Sequence, residues 1–278
     1  MKELVLVKTV RQIADSFAKA EASVRNIVQT IRPNAEEVAL TNDLERELAN
    51  ELTLASSKGQ VARSFAEDLK ATFPFTNPYV FQTAASGLVA EVSWHGQNVE
   101  KRTGGDFGLV LVRPCVEVRG DRLTILSGRR NGILVQAKRK RPKRQWGRLT
   151  TKQQTLFATF RSYGCLLLYR FLDAGTLAPF QWQLLRRRRL RTVNTWLAED
   201  RFPNCHGSVA FINMLGTGSI GTSSLKVIKD SIIARSTRTL VISIDWPNGK
   251  PPSANISIAF CPSFDTNTER THVHLRTE

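Results

Sequence analysis

An α/β fold is what this sequence predicts, and three observations predict it. Apolar residues recur at helical spacing from Leu4 to Thr72, strand-like runs follow between Leu88 and Lys138, and both patterns return in the remainder of the chain. The first helix is predicted over Leu4–Ala18. Asn42 followed by Glu45 has the form of a capping box, which puts a second helix start near residue 43, ahead of the apolar spacing in Leu44–Leu54. A third helix is predicted over Gly59–Thr72, with Val61, Phe65 and Leu69 on one face. Pro74, Asn77 and Pro78 end the helical pattern.

Strands are then predicted at Leu88–Trp94 and Phe107–Val112, with a hairpin around Arg119-Gly120-Asp121 and a further strand at Gly132–Lys138. Helix is expected again at Thr151–Ala174, and strand-like runs at Val209–Leu215, Thr239–Asp245 and Asn255–Ala259. A shift in composition at Asp173–Phe180 is the best domain boundary. It separates an N-terminal helical segment (1–42) and a core (43–172) from a smaller α+β region (173–278) of unassigned role.

Charge narrows the function. There are 40 Lys and Arg against 24 Asp and Glu, a formal charge of +16, which makes nucleic acid the first partner to consider. With 41% apolar residues the chain is composed like a folded protein and not like a disordered basic tail. No stretch approaches the about 18 apolar residues that cross a bilayer, so no membrane span is expected. Lys8, Arg11 and Asp15 interrupt what would have to be an apolar export signal. Cys115, Cys165, Cys205 and Cys261 form no CxxC pair, which argues against a zinc ribbon or a disulfide scaffold and for a reducing cytoplasm.

Two segments carry the chemistry, Gly104-Gly105-Asp106-Phe107-Gly108 and Ile133-Leu134-Val135-Gln136-Ala137-Lys138-Arg139. Residues two apart in a strand share a face, so Gln136 and Lys138 project together, while Ile133, Val135 and Ala137 point the other way. A polar amide and an ammonium on a strand buried on its other face need partners, because leaving either dry and unpaired is costly. Asp106 supplies an acid at the head of an apolar strand. An Asp carboxylate and a Gln amide oxygen are hard ligands for Mg²⁺ (Mn²⁺ is an alternative), and a Lys beside them can stabilise developing negative charge on a phosphodiester.

At these residues the sequence resembles the PD-(D/E)XK nuclease superfamily over roughly residues 43–172. Asp106 matches the first acidic residue of the motif and Gln136-Ala137-Lys138 its (D/E)XK element, in the QxK form found in Mrr-type enzymes. The resemblance implies a restriction-endonuclease-like core, a mixed central sheet flanked by helices, and metal-dependent hydrolysis of DNA, most readily double-stranded. It also implies a setting in restriction or anti-phage defence, where a homo-oligomer or a defence-system partner protein is expected. A Glu from the leading helix often joins the metal site. Glu47 and Glu51 stand one turn apart there, Glu51 and Glu100 rank equally as the completing ligand, and Glu91 is a third choice. A Gln on the helix after the motif strand often faces substrate, which points to Gln154, with Gln153 as the fallback. A catalytically inactive nucleic-acid-binding protein on the same fold is the rival expectation, since Gln136 replaces a charged ligand.

The basic run Arg139, Lys140, Arg141, Lys143, Arg144 and Arg148 follows Lys138 directly, and such a block is either a solvated loop or a contact for a phosphate backbone. Trp146 within it can stack on a base or anchor the loop. A second cluster is Arg186–Arg189 with Arg191. Gly216-Thr217-Gly218-Ser219-Ile220-Gly221 fits a dinucleotide fingerprint, but too little chain follows for a doubly wound domain, and a glycine turn is the preferred reading. His272 and His274 share a strand face, His95 and His206 are isolated, and no nucleophile elbow is present.

Overall fold

The computed structural model describes residues 6–33, 35–74, 78–96, 107–119, 122–151, 153, 163–173, 175–185, 190–234, 236, 238–246 and 256–258. Helices α1 (Val7–Thr30), α2 (Glu37–Ser57), α3 (Gln60–Thr72) and α4 (Pro78–Ala85) come first. Strands β1 (Val89–Gly96), β2 (Phe107–Arg119), β3 (Arg122–Lys140), β4 (Gly164–Arg170) and β5 (Gln181–Leu184) follow. Then come α5 (Leu190–Glu199), α6 (Ser208–Thr217) and α7 (Leu225–Val227), the last running on into a π-helical turn, Ile228–Ile233. Strands β6 (Arg238–Asp245) and β7 (Ile256–Ile258) end the described chain.

All seven strands join one mixed sheet in the order β1-β6-β2-β3-β4-β5, with β7 beside the outer part of β3. The pairs β1/β6, β2/β3 and β4/β5 are antiparallel, whereas β6/β2, β3/β4 and β3/β7 are parallel. The α/β class with a mixed sheet flanked by helices is therefore what the chain adopts.

The sheet is covered on both faces. On the first face α1, α2, α3, α4 and α6 enclose the main core, in which Leu40, Leu44 and Leu48 of α2 and Phe17 of α1 join Leu109, Val135, Ala137 and Leu167 of the strands. On the second face two smaller apolar clusters stand apart. One gathers Trp146, Leu149, Leu166, Leu168, Val193 and Leu197, and the other Val110, Val241, Ile228, Ile232 and Ile233. Burial on both faces is why β4 reads as an unbroken apolar run from Cys165 to Tyr169. Helix α1 has no cap of its own, since Leu6 offers no side-chain acceptor. Asp68 of α3 caps it instead, accepting from the Lys8 and Thr9 backbone N–H groups at 2.8 Å each.

Several sequence expectations are corrected. Helix α2 begins at Glu37, so Asn42 and Glu45 lie inside it and Glu45 pairs with Arg238 at 2.8 Å instead of capping. Of the helix expected through Thr151–Ala174, Thr151 and Gln153 are helical and residues 152, 154–162 and 174 lie outside the described residues, whereas Gly164–Arg170 is the strand β4, because a short apolar run has no periodicity to tell a buried strand from a helix. Val209–Leu215 is helical: Ser208, Phe211, Ile212 and Leu215, buried along with Gly216 in α6, form an i, i+3, i+4, i+7 pattern hidden inside a run of apolar residues. The boundary near residue 173 falls between β4 and β5, which are sheet neighbours, and β6 from the far side of it sits between β1 and β2, so the sheet does not divide there. Arg119 pairs with Arg122 across the expected hairpin, whose Gly120 and Asp121 lie outside the described residues. Among the described residues no helix is long and apolar enough to cross a membrane.

The seat of α6 on α1 is close enough to be tested. A Cβ on Gly216 would lie 2.3 Å from Val10 Cγ1, so the two helices would have to separate. Gly216→Ala is expected to destabilise by about 1–3 kcal/mol, seen as a fall of several degrees in Tm. Gly147→Ala, where an added Cβ meets nothing within 4 Å, should leave Tm unchanged.

Candidate active site

Strand β3 turns Ile133, Val135 and Ala137 into the main core and, by the period of a strand, Gln136 and Lys138 to the second face. There Gln136 is 0% exposed and Lys138 7%. Their neighbours in register on β4 are Leu166 and Leu168, both in the apolar cluster with Trp146. On the other side, Gly108 of β2 faces Leu134. The polar pair thus lies on the second face between two apolar clusters and belongs to neither. The Gln136 Nε2 donates to the Ala137 carbonyl at 3.3 Å. The Lys138 side chain makes no hydrogen bond or ion pair with any described residue, so its ammonium on this mostly buried face is open to an anionic ligand.

Two elements flank the pair. The π-helical turn packs on a floor without side chains: a Cβ on Gly108 would lie 2.6 Å from Ile232 Cγ2, and one on Gly132 2.8 Å from Ile232 Cδ1. The last glycine of the Gly-Gly-Asp-Phe-Gly segment is therefore demanded by packing. Opposite runs the first part of the crossover from β3 to β4, residues 141–151, whose Trp146 and Leu149 pack on Leu166 and Leu168 of the second face.

A single carboxylate pins that crossover. Asp200, in the left-handed region with φ 56° at the end of α5, accepts from Lys140 Nζ at 2.5 Å and from Trp146 Nε1 at 2.6 Å. Arg170 binds it in a fork at 2.5 and 2.8 Å and also lies over the Trp146 ring, 5.5 Å from its centroid. Partial burial works against the charged Asp200. The bonds from Lys140, Trp146 and Arg170 outweigh it and hold the carboxyl below its ordinary range.

The expected site residues divide as follows. Gln136 and Lys138 are together and on one face. Asp106, Glu100 and Gln154 lie outside the described residues, as do Arg186–Arg189, His272 and His274. Phe107, the residue after Asp106, pairs with Val135, the residue before Gln136. Glu47 and Glu51 sit on α2, which packs on the first face, so the sheet stands between them and Lys138. Glu91 is on β1, with β6 and β2 between it and β3. Gln153 is on the crossover, where its carboxamide accepts from the Thr150 N–H at 3.0 Å.

Within the basic run, Arg139 and Arg141 are paired with Glu36 at 2.5 and 2.8 Å and Lys140 with Asp200, whereas Lys143, Arg144 and Arg148 are exposed. Trp146 is a loop anchor, 3% exposed. The glycine fingerprint is a helix end, with Gly218 at φ 80° terminating α6.

Among the described residues no three acidic, His or Cys side chains converge as a metal site would require. An amide oxygen and an ammonium do not by themselves fit a divalent cation, so a cation beside Gln136 depends on carboxylates from Asp106 and Glu100. Burial pushes the Cys205 thiol up to about 11, against the opposing charge of Arg170, which leaves it a poor nucleophile. Sequence reading missed Asp200 and Arg170. The buried indole of Trp146 was the available signal, since its N–H needs an acceptor, but nothing in the spacing singled out an acid 54 residues away.

The lowered Asp200 carboxyl sets a pH dependence. A depressed folded pKa contributes stability that is present above the ordinary value of 3.8 and is lost as the pH falls through the folded value. Asp200→Asn is expected to lower stability by about 1–2 kcal/mol at pH 7, and urea unfolding of the two proteins should converge in acid below the ordinary Asp range.

No family model, curated protein or solved structure matches this chain, so its chemistry has to be read from its own residues.

Proposed function

We propose that this protein hydrolyses phosphodiester bonds of nucleic acid, double-stranded DNA being the favoured substrate, on a restriction-endonuclease-like core. The observation that carries the reading is the buried Lys138, 7% exposed and without an anionic partner among the described residues, standing beside Gln136 on the face on which Trp146 and Leu149 of the basic crossover pack. Such an ammonium, fixed by the strand on a mostly buried face, favours a ligand whose charge grows during reaction. A phosphate passing to a pentacoordinate transition state is one.

In this reading Lys138 stabilises the non-bridging oxygens and the Gln136 amide orients the attacking water or an oxygen ligand. Asp106 supplies the carboxylate, and Mg²⁺ or Mn²⁺ would add Lewis-acid chemistry to a phosphate oxygen. The arrangement of a leading helix, the antiparallel β2/β3 pair and the parallel β3/β4 pair supports such a core. A restriction or anti-phage setting remains part of this proposal through the resemblance alone.

A second reading, binding without cleavage, is favoured by one observation: among the described residues no three His, Cys, Asp or Glu side chains come together to hold a metal. A plasmid-cleavage assay separates the two. Wild type is expected to nick or cut with Mg²⁺ and not in EDTA, and Asp106→Ala and Lys138→Ala to lose at least about 100-fold in rate while keeping the wild-type circular dichroism. Full activity in either variant would remove Lys138 and Asp106 from the chemistry. No activity in wild type with retained DNA binding would establish the second reading.

A further inference from the structure

The basic run is sorted by the fold, and the sorting points to a built contact. Lys140 and Trp146 bind the two oxygens of the same Asp200 carboxylate, at 2.5 and 2.6 Å. The five residues between them are thereby closed into a loop. Arg141 is further tied to Glu36 at 2.8 Å. Within the loop the Arg144 N–H donates to the Arg141 carbonyl at 3.1 Å across Pro142 and Lys143. Proline second and a positive-φ residue third is the type II pattern, whose third position ordinarily takes Gly or Asn. Here it is Lys143, at φ 57°.

That is a strained place for a long side chain, and packing does not explain it. Lys143 and Arg144 are exposed and make no side-chain hydrogen bond or ion pair with any described residue. The turn is held by its backbone and by its two ends, and its Lys143 and Arg144 side chains are left available to a contact outside the protein.

We propose that the Arg141–Gln145 turn is a preformed grip for a nucleic-acid phosphate backbone, with Lys143 and Arg144 as the contact side chains and Asp200 as the positioning residue that holds both ends. The turn carries no exposed large apolar side chain to insert into a lipid surface, which favours nucleic acid over an anionic membrane. Bracketing by one carboxylate means that little conformational freedom remains to be lost on binding. The grip deepens the nucleic-acid reading above but requires no bond cleavage.

The test is done in EDTA, so that cleavage plays no part. Fluorescein-labelled duplex DNA of mixed sequence, one of its single strands and phosphatidylserine vesicles are titrated with wild type, Lys143→Gly and Lys58→Ala, at several salt concentrations. Lys58 is exposed at the end of α2 and controls for net charge. Lys143→Gly should raise Tm by about 2 °C, because the strain is relieved. It should also reduce the salt slope by about 0.9 on duplex or about 0.7 on the single strand, with Lys58→Ala changing neither slope. An unchanged slope in Lys143→Gly, an equal loss in Lys58→Ala, a fall in Tm, or a loss confined to vesicles would each overturn the proposal. Loss of plasmid cleavage in wild type would leave it standing and defeat only the hydrolase reading.

Discussion

The parallel pairing of β3 with β4 governs the rest of this structure. Two parallel neighbours cannot be joined by a tight turn, so the chain must leave the sheet after Lys140, cross a face and return at Gly164. One face is already filled by α1, α2 and α6. The crossover therefore lies on the other, and the residues that lie there are the basic run. The same pairing aligns Gln136 with Leu166 and Lys138 with Leu168, so the polar pair is placed against apolar neighbours.

Electrostatics then distributes an excess of positive charge into two kinds of site. Glu36 and Asp200 each serve two or more cations, and those cations, Arg139, Lys140, Arg141 and Arg170, hold α2, β3, β4 and α5 together. The cations left over are of different character. Lys143, Arg144 and Arg148 are in water, where an unpaired charge costs little and is available for steering, whereas Lys138 stands on a mostly buried strand face. In the proposed reading these two kinds of cation would receive an anion at two depths, a backbone at the surface and one phosphate at the sheet.

How much of this was legible in the sequence follows from which signals are local. The face shared by Gln136 and Lys138, opposite Val135 and Ala137, follows from the period of a strand and is observed. The early helices were visible because their apolar spacing is 3.6, as with Val61, Phe65 and Leu69 of α3. Cys165–Tyr169 and Val209–Leu215 were not, since apolar runs buried on several sides carry no period, and the strand and the helix were exchanged. The place of Glu51 on the far face, the insertion of β6 between β1 and β2, and the Asp200 hub depend on contacts between residues tens to more than a hundred positions apart. The same holds for Gly108, whose role beneath Ile232 is set by a helix more than a hundred residues later.

Whether a phosphodiester occupies the second face beside Lys138 is the central question. A crystal structure of the protein with a phosphorothioate-linked duplex that resists cleavage, grown in Mg²⁺, answers it directly. A non-bridging phosphate oxygen within hydrogen-bonding distance of the Lys138 ammonium, with the backbone running along the Arg141–Gln145 turn, is the predicted result. A duplex bound elsewhere, or on the turn alone without reaching Lys138, would contradict the account.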